Sequence, residues 1–282
     1  MTTSIMGRSA GFTTGDTQTT ADRARRVWEY RRILRLIVGR DLKVRYAGSA
    51  LGYLWTVLEP LAMSAVYWFV FTQILHRQIG FPPFILFLVS GQLPWFWMSG
   101  SITGALNALR GESQMVRSTS VPREIWVLRV IMSRGMEYIF SLPVLALIAL
   151  YYLKPPTIGI LYTPVAIAMS FLLLMGMGMI VAPAAVLLPD LRSIVKVAMR
   201  VLYFLSPILY SVTDVVQKRG GMVASISSWN PIAGIMVLFR VTFFPQEMAW
   251  TYVWHAAIEV VIIFFIGLFT FKRLEASMLK EI

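Results

Sequence analysis

Long apolar stretches of about 20 or more residues recur along the chain and constrain its fold more than any other feature. About 20 residues of helix cross the hydrocarbon core of a bilayer, which is about 30 Å thick. Only 14% of the 282 residues are charged, whereas a soluble domain carries about 25%. We therefore predict an all-α integral membrane protein with a single membrane domain. Six membrane-spanning helices are predicted, over residues 51–75, 84–109, 125–151, 158–188, 195–210 and 250–271.

The distribution of basic residues predicts the orientation of these helices. The chain has 26 Lys and Arg and a net charge of +12. With both termini in the cytoplasm, all but five of the 26 lie on the cytoplasmic side, as the positive-inside rule requires. The five predicted outside are Arg77, Lys154, Lys218, Arg219 and Arg240. Ten basic residues precede the first span, so anionic lipid headgroups are expected as partners and nucleic acid is not.

The N-terminal region divides into two parts. Residues 1–21 are rich in Thr, Ser and Gly and are predicted to be a disordered tail. The membrane domain is predicted over 22–282, and its first part, 22–46, is read as an amphipathic interface helix with a basic collar. A helix packed on a soluble partner is the alternative for this segment. No cleaved signal peptide is expected.

Some chemistries are disfavoured by composition. The chain has no Cys, which excludes a disulfide framework and a thiol nucleophile, and its two His are far apart, so no metal centre is expected. Between spans five and six, Asn230 and Pro231 precede an apolar run too short to span. We expect a re-entrant or interfacial helix there, with a short seventh span as the alternative.

Three stretches together resemble the membrane subunit of ABC-2 type exporters, in particular the polysaccharide-export permeases. The first is RDLKVRYAGSALGYLWTVLEPL, from residue 40 into the first span. The second is SGQLPWFWMSGSITGALNAL, followed by VPREIWVLRVI. The third comprises LLPDLRSIV, YFLSPILYS and WNPIAGIMVLFR. One departure is Pro189 before Asp190, where family members often have an Arg-Asp pair.

This resemblance implies a homodimer of six-span subunits that works with two copies of a separate ATP-binding cassette subunit. ATP and Mg would be bound by that partner, and no cofactor is expected in this chain. The sequence contains no G-x-x-x-x-G-K-[ST] loop, so we expect a transport subunit and not an enzyme. The substrate implied is a lipid-linked polysaccharide, and the location implied is the cytoplasmic (inner) membrane of a bacterium.

Polar and aromatic residues within the spans are candidates for the substrate channel. An unpaired hydroxyl in hydrocarbon costs several kcal/mol, so a sugar chain needs polar groups and aromatic faces along its path. In span one, Glu59 and Gln73 are 14 positions apart and would lie about 40° apart on an α-helix. Glu59 at the inner interface, paired with a collar arginine, is the alternative. The full predicted channel set is Trp55, Glu59, Met63, Val66, Gln73, Gln92, Phe96, Ser99, Tyr203 and Tyr210.

Two sets of charged residues are candidates for binding partners on the cytoplasmic side. Given the resemblance, one set would receive the lipid pyrophosphate: Arg40, Lys43, Arg45, Lys196 and Arg200. The alternative explanation is that these residues only reflect the general excess of basic residues on the cytoplasmic side of membrane proteins. The other set, in residues 111–124, would contact the ATPase: Glu112, Arg117, Arg123 and Glu124. A solvated loop is the alternative there. Arg134 and Glu137, one turn apart, are expected to pair within the third span.

Other functions remain open at this point. A drug or small-molecule exporter of the ABC-2 type would share the fold. A polyprenyl-linked glycosyltransferase would need paired acidic residues on a loop, and the sequence has only isolated acids such as Asp190 and Asp214. No residue identifies a particular glycan.

Overall fold

A computed structural model describes residues 20–76, 80–218 and 221–281. Within these residues all regular secondary structure is helical. The predicted disordered tail lies outside them, except that its last two residues begin the first helix. The helices are α1 Thr20–Glu29, α2 Arg31–Tyr46, α3 Trp55–Trp68, α4 Phe84–Ala105, α5 Ser113–Ser118, α6 Glu124–Tyr151, α7 Thr163–Leu187, α8 Leu191–Leu205, α9 Val212–Lys218, α10 Gly221–Ser228, α11 Pro231–Arg240 and α12 Trp250–Glu281.

The predicted interface helix is present as two consecutive helices, α1 and α2, which meet at Tyr30. Leu34, Val38 and Leu42 of α2 are buried, and α2 packs on α6. Their spacing of four residues places them on one face of a helix. Leu36 and Val44 lie elsewhere on α2 and are exposed, so apolar surface remains free to contact a membrane interface.

Five helical segments are long and apolar enough to cross a membrane: Gly52–Ile74, Phe84–Ala105, Glu124–Tyr151, Ile158–Leu187 and Trp250–Glu281. The bent pair α10 and α11 would make a sixth if it counted as one span. The predicted fifth span, 195–210, is wrong in its bounds. Helix α8 ends at Leu205, because Pro207 follows, and its 15 residues extend only about 22 Å.

Helix α4 occupies the centre of the bundle and packs on α3, α6, α7 and α11. The most extensive helix contact joins α7 to α12. Glycines allow this approach, since a Cβ atom on Gly267 would lie 2.3 Å from the carbonyl oxygen of Gly176. Small residues at helix crossings are the usual means of close packing between membrane helices.

The segment between α8 and α12 turns back on itself, with an angle of 88° between α10 and α11. The side-chain carbonyl of Asn230 accepts a hydrogen bond from the amide of Ile232 at 3.0 Å, and Pro231 occupies the first turn. Nine residues of α11, from Ile232 to Arg240, are buried. A helix enclosed in this way favours the re-entrant alternative over one lying at the membrane surface.

Candidate functional site

Helix α3 has one buried face and one exposed face. Val57, Pro60 and Ser64 are buried, and α4 is the main neighbour of α3. The face predicted to line a channel is not covered by the rest of the protomer. Its exposed residues are Trp55, Glu59, Met63, Val66 and Gln73.

The last turns of this span are wider than an α-helix. Residues Phe69–Ile74 form a π-helix, in which the amide of Leu75 donates to the carbonyl of Val70, five residues earlier, at 2.9 Å. A π-helix turns less per residue than an α-helix. The predicted angle of about 40° between Glu59 and Gln73 therefore does not apply, although both side chains are exposed.

A pocket of about 230 Å³ lies between α2, α3, α4 and α6, at one end of the exposed face of α3. Its charged residues are Arg45, Glu59, Arg134 and Glu137. Its aromatic residues are Tyr46, Trp55, Phe96, Trp97 and Tyr138. Burial, together with the charge of Glu137, raises the pKa of Tyr46 to about 12, so its hydroxyl stays protonated at neutral pH. The pocket combines aromatic faces with charged hydrogen-bonding groups.

The carboxylate of Glu137 holds two arginines at this pocket. One oxygen accepts from Arg134 at 3.0 Å, and the other accepts from Arg45. The predicted pair within the third span is thus confirmed, and Arg45 of the basic collar joins it. Because one carboxylate serves two guanidinium groups, this triad carries a net positive charge.

A second ion network joins α2 to the segment before α6. The carboxylate of Glu112 accepts from Arg40 at 2.6 Å and from Arg129 at 2.9 Å. Asp41 lies 3.4 Å from Arg129. Burial alone would raise the pKa of Glu112, but Arg129 and Arg40 outweigh burial and lower it from its ordinary value. This network ties the interface helix to the bundle.

The residues predicted to contact the ATPase have different surroundings. Arg117 is exposed, and Arg123 lies 3.8 Å from Glu275 of α12. Glu112 is engaged inside the protomer, as described above. Glu124 is only 8% exposed, which contradicts the expectation of a surface contact. It begins α6, whose first residues turn into the core.

Helix α4 does not present the predicted stripe of Gln92, Phe96 and Ser99 to a single channel. Gln92 is fully buried, and neither polar atom of its side chain has a hydrogen-bond partner. Phe96 lines the polar pocket, and Ser99 is half-buried. The prediction fails for Gln92 because α4 is surrounded by other helices.

The two predicted tyrosines on and after α8 are also separated. Tyr203 stacks on Tyr67 of α3, with ring centroids 6.1 Å apart, and lies 5.6 Å from the ring of Trp95. Tyr210 donates to the carbonyl of Leu205 at 2.8 Å. Tyr203 therefore belongs to an aromatic cluster beside α3, whereas Tyr210 closes a local turn.

The five basic residues predicted to receive a pyrophosphate are not gathered in one place. Arg40 and Arg45 belong to the ion networks between α2 and α6. Lys43 on α2, and Lys196 and Arg200 on α8, are exposed. The main neighbours of α8 are α4 and α7.

Arg240 was predicted to lie in the outer loop region and is instead fully buried. Its guanidinium donates to the carbonyls of Pro207 at 2.7 Å and Tyr210 at 2.9 Å, and also to Ile208. It lies 3.8 Å from the ring centroid of Phe87. A lone arginine within an apolar run was the signal for an interior role.

Comparison with known proteins identifies relatives over most of the chain. A family profile described as ABC-2 type transporter matches residues 32–244. The O-antigen export system permease protein RfbA of Klebsiella pneumoniae is 28% identical over 244 residues, which cover 86% of this chain and 92% of the relative. RfbA of Myxococcus xanthus is 27% identical over 224 residues, or 79% and 85% of the two chains. The polysialic acid transport protein KpsM of Escherichia coli is 22% identical over 250 residues, which cover 86% of this chain and 93% of the relative.

These matches confirm the resemblance read from the sequence motifs. The matched region runs from α2 to beyond α11, and the apolar spanning helices agree with a multi-pass protein of the inner membrane. The family supplies the permease subunits of ABC transporters, which are not the catalytic subunits. The chain belongs to the ABC-2 type transporter family.

Proposed function

We propose that this chain is the transmembrane subunit of an ATP-driven exporter that moves a lipid-linked polysaccharide across the cytoplasmic membrane. Two copies would form the channel, with two ATP-binding cassette subunits supplying ATP hydrolysis. The relatives named for O-antigen export and polysialic acid transport support the substrate class.

The observation that carries this proposal is the uncovered face of α3. Glu59 and Gln73 expose a carboxylate and an amide on a helix apolar enough to span a membrane. Polar side chains in such helices normally face a protein interior or an aqueous cavity. A second copy of the chain would enclose this face and give it an aqueous path to line.

Aromatic residues beside the same face suit a sugar chain. Trp55 and Phe96 line the polar pocket, and Tyr203 joins the cluster with Tyr67. Sugar rings present C–H groups that pack on aromatic faces, while their hydroxyls require hydrogen bonds. Met63, Val66 and Ser99 would complete the wall between these points. The buried Gln92 has no place in this path.

The charged end of the pocket is where a pyrophosphate would be received. Arg45 and Arg134 offer planar guanidinium groups, which bind phosphate oxygens in a bidentate manner. Lys43, Lys196 and Arg200 are exposed and would attract anionic lipids to the predicted cytoplasmic side. Coupling to the ATPase would fall to the accessible residues, Arg117 first.

Export assays on reconstituted complexes test the proposal. Co-expression with the ATP-binding subunit should give ATP hydrolysis that the purified chain lacks. Trp55→Ala and Glu59→Gln should each lower export of lipid-linked glycan at least about tenfold, while assembly with the ATPase is retained. Trp28→Ala, at an exposed site on α1, is the control. Unchanged export in both α3 variants would remove α3 from the path, and transport of drugs alone would overturn the substrate class.

Cross-linking tests the homodimer separately. The chain contains no Cys, so Val66→Cys adds a single thiol on the exposed face of α3. A bis-maleimide long enough to bridge the proposed path should produce a covalent dimer at this position in membranes, since a direct disulfide would need the two Cα atoms within about 7 Å. Leu147→Cys, exposed on α6, should stay monomeric. A complex containing one copy of the chain would contradict the proposal.

A further inference from the structure

A second cavity adjoins the polar pocket at Tyr138 and extends to the end of the bundle predicted to face outside. It has a volume of about 580 Å³, within the range of ligand sites in proteins. The end of α6, the linker to α7, and α11 with the residues after it form its walls. The apolar lining includes Leu142, Leu145, Ala149, Ile160, Phe239 and Phe243.

Three of the four hydroxyl groups that line this cavity are already hydrogen-bonded within the protein, and the fourth belongs to Tyr138. Ser90 donates to the carbonyl of Phe87 at 2.9 Å. The hydroxyls of Thr163 and Thr242 are hydrogen-bonded to each other at 2.9 Å. An occupant therefore gains little from polar groups inside the cavity, and burying hydrocarbon there is favourable.

The cavity has the length of one bilayer leaflet. Its wall on α6 runs from Tyr138 to Leu150, or about 18 Å at 1.5 Å per residue. Half of a hydrocarbon core is about 15 Å. Apolar residues at the rim are widely exposed, with 68% for Leu150 and 84% for Leu153. The opening is therefore bordered by side chains suited to contact with lipid.

Lys154 is the only cation among the described residues that line this cavity. Leu153 adopts a left-handed conformation with φ of 50°, and the amide of Lys154 donates back to the carbonyl of Ala149 at 2.9 Å. This turn ends α6 and fixes Lys154 at the rim. Among the described residues, Lys154 forms no ion pair; its ammonium lies 5.6 Å from the ring of Phe244.

We propose that this cavity binds an anionic phospholipid of the predicted outer leaflet, with one acyl chain along α6 and the phosphate beside Lys154. The one-leaflet length, the largely apolar lining and the position of Lys154 at the headgroup end favour this occupant over a helix of another protein. The site is independent of the proposed transport path, since the two share only Tyr138 of α6.

Native mass spectrometry of the purified chain, titrated with phosphatidylglycerol, tests the site. Ala146 lines the cavity and is exposed, so Ala146→Phe fills the cavity without disturbing the core. We expect this variant to bind the tightest phosphatidylglycerol at least about tenfold more weakly. Leu147→Phe, at the next residue and outside the lining, should bind as the unaltered chain does. Equal affinity in the two variants would overturn the proposal.

The headgroup contact has its own test. Lys154→Gln should reduce the preference for phosphatidylglycerol over phosphatidylcholine about threefold to tenfold, and Lys272→Gln should not. An unchanged preference in Lys154→Gln would overturn the role of Lys154. A site that binds polyprenyl phosphate but not phosphatidylglycerol would overturn the phospholipid as occupant.

Discussion

The segment Gly52–Ile74, which includes α3, and helix α4 are neighbours of almost equal length and similar hydropathy, yet they have opposite surroundings. In the segment Gly52–Ile74 that includes α3, 17% of the most apolar window is buried, against 78% for Phe84–Ala105. Helix α4 is covered by five other helices, whereas α3 contacts the bundle along one face. Composition alone therefore does not tell a central helix from one whose partner lies outside the protomer.

The largest effect on the free energy of unfolding is expected for Arg240, which packs against the buried helix α4. Arg240 packs against Gly91 of α4 and donates to three backbone carbonyls. Each buried carbonyl left without a donor costs about 1–3 kcal/mol, so Arg240→Gln should lower the free energy of unfolding by at least about 3 kcal/mol. Thermal unfolding in detergent measures this. Arg200→Gln, exposed on α8, should change it by at most about 0.5 kcal/mol; similar losses would contradict the interior role.

A smaller effect is expected at the ion network on α6, the main neighbour of α4. Glu112→Gln weakens charge-assisted hydrogen bonds to Arg40 and Arg129, which should cost about 1–3 kcal/mol at pH 7. Since folding lowers the pKa of Glu112, its stabilisation is full above the ordinary carboxyl pKa and is lost as the pH falls through the folded value.

The difference in unfolding midpoint between Glu112→Gln and the unaltered chain should therefore shrink in acid. Glu29→Gln removes one member of an exposed pair with Arg25 and should cost at most about 0.5 kcal/mol. A difference at Glu112 that is independent of pH would show that its charge does not stabilise the fold.

The accessibility of α3 and α4 can be compared directly with single thiols in the assembled complex. Met63→Cys lies on the exposed face of α3, and Ser101→Cys lies on α4 at 1% exposure. If α3 lines an aqueous path, a polar maleimide should label Met63→Cys at least about tenfold faster. Equal protection of both thiols would mean that lipid or protein covers the face of α3.

The smallest effect on the free energy of unfolding is expected for a substitution on the exposed face of α3. Glu59→Gln changes an exposed side chain that forms no ion pair among the described residues. Its free energy of unfolding should change by at most about 0.5 kcal/mol, even where export falls. A large loss of stability would mean that Glu59 is a structural residue and that α3 resembles α4.

Much of the fold followed from the sequence, because long apolar runs allow few structures in a bilayer. Five of the six predicted spans correspond to long apolar helices. The fifth was drawn too far along the chain, since the apolar run continues past Pro207 while the helix stops at Leu205. Apolar character reports burial from water, and it does not report where a helix ends.

The site residues were harder to place, because lipid and protein interiors select the same apolar side chains. Gln92 and Glu59 both looked like polar residues on a channel stripe, yet only Glu59 is exposed. Arg240 was counted as a loop charge because its partners are backbone carbonyls, which carry no sequence signal. Pairs one turn apart, such as Arg134 and Glu137, were predictable because helical spacing defines them.

The wide turns at the end of α3 have a geometric consequence for the whole span. The direction of Gln73 relative to Glu59 depends on how many residues between them are wound as π-helix and how many as α-helix. Rewinding Phe69–Ile74 to the α-helical pitch would rotate Gln73 about the helix axis while Trp55 and Glu59 stayed in place. The angle about the helix axis between Glu59 and Gln73 is therefore not fixed by their spacing in the sequence. It is set by the winding of Phe69–Ile74, which determines where Gln73 points.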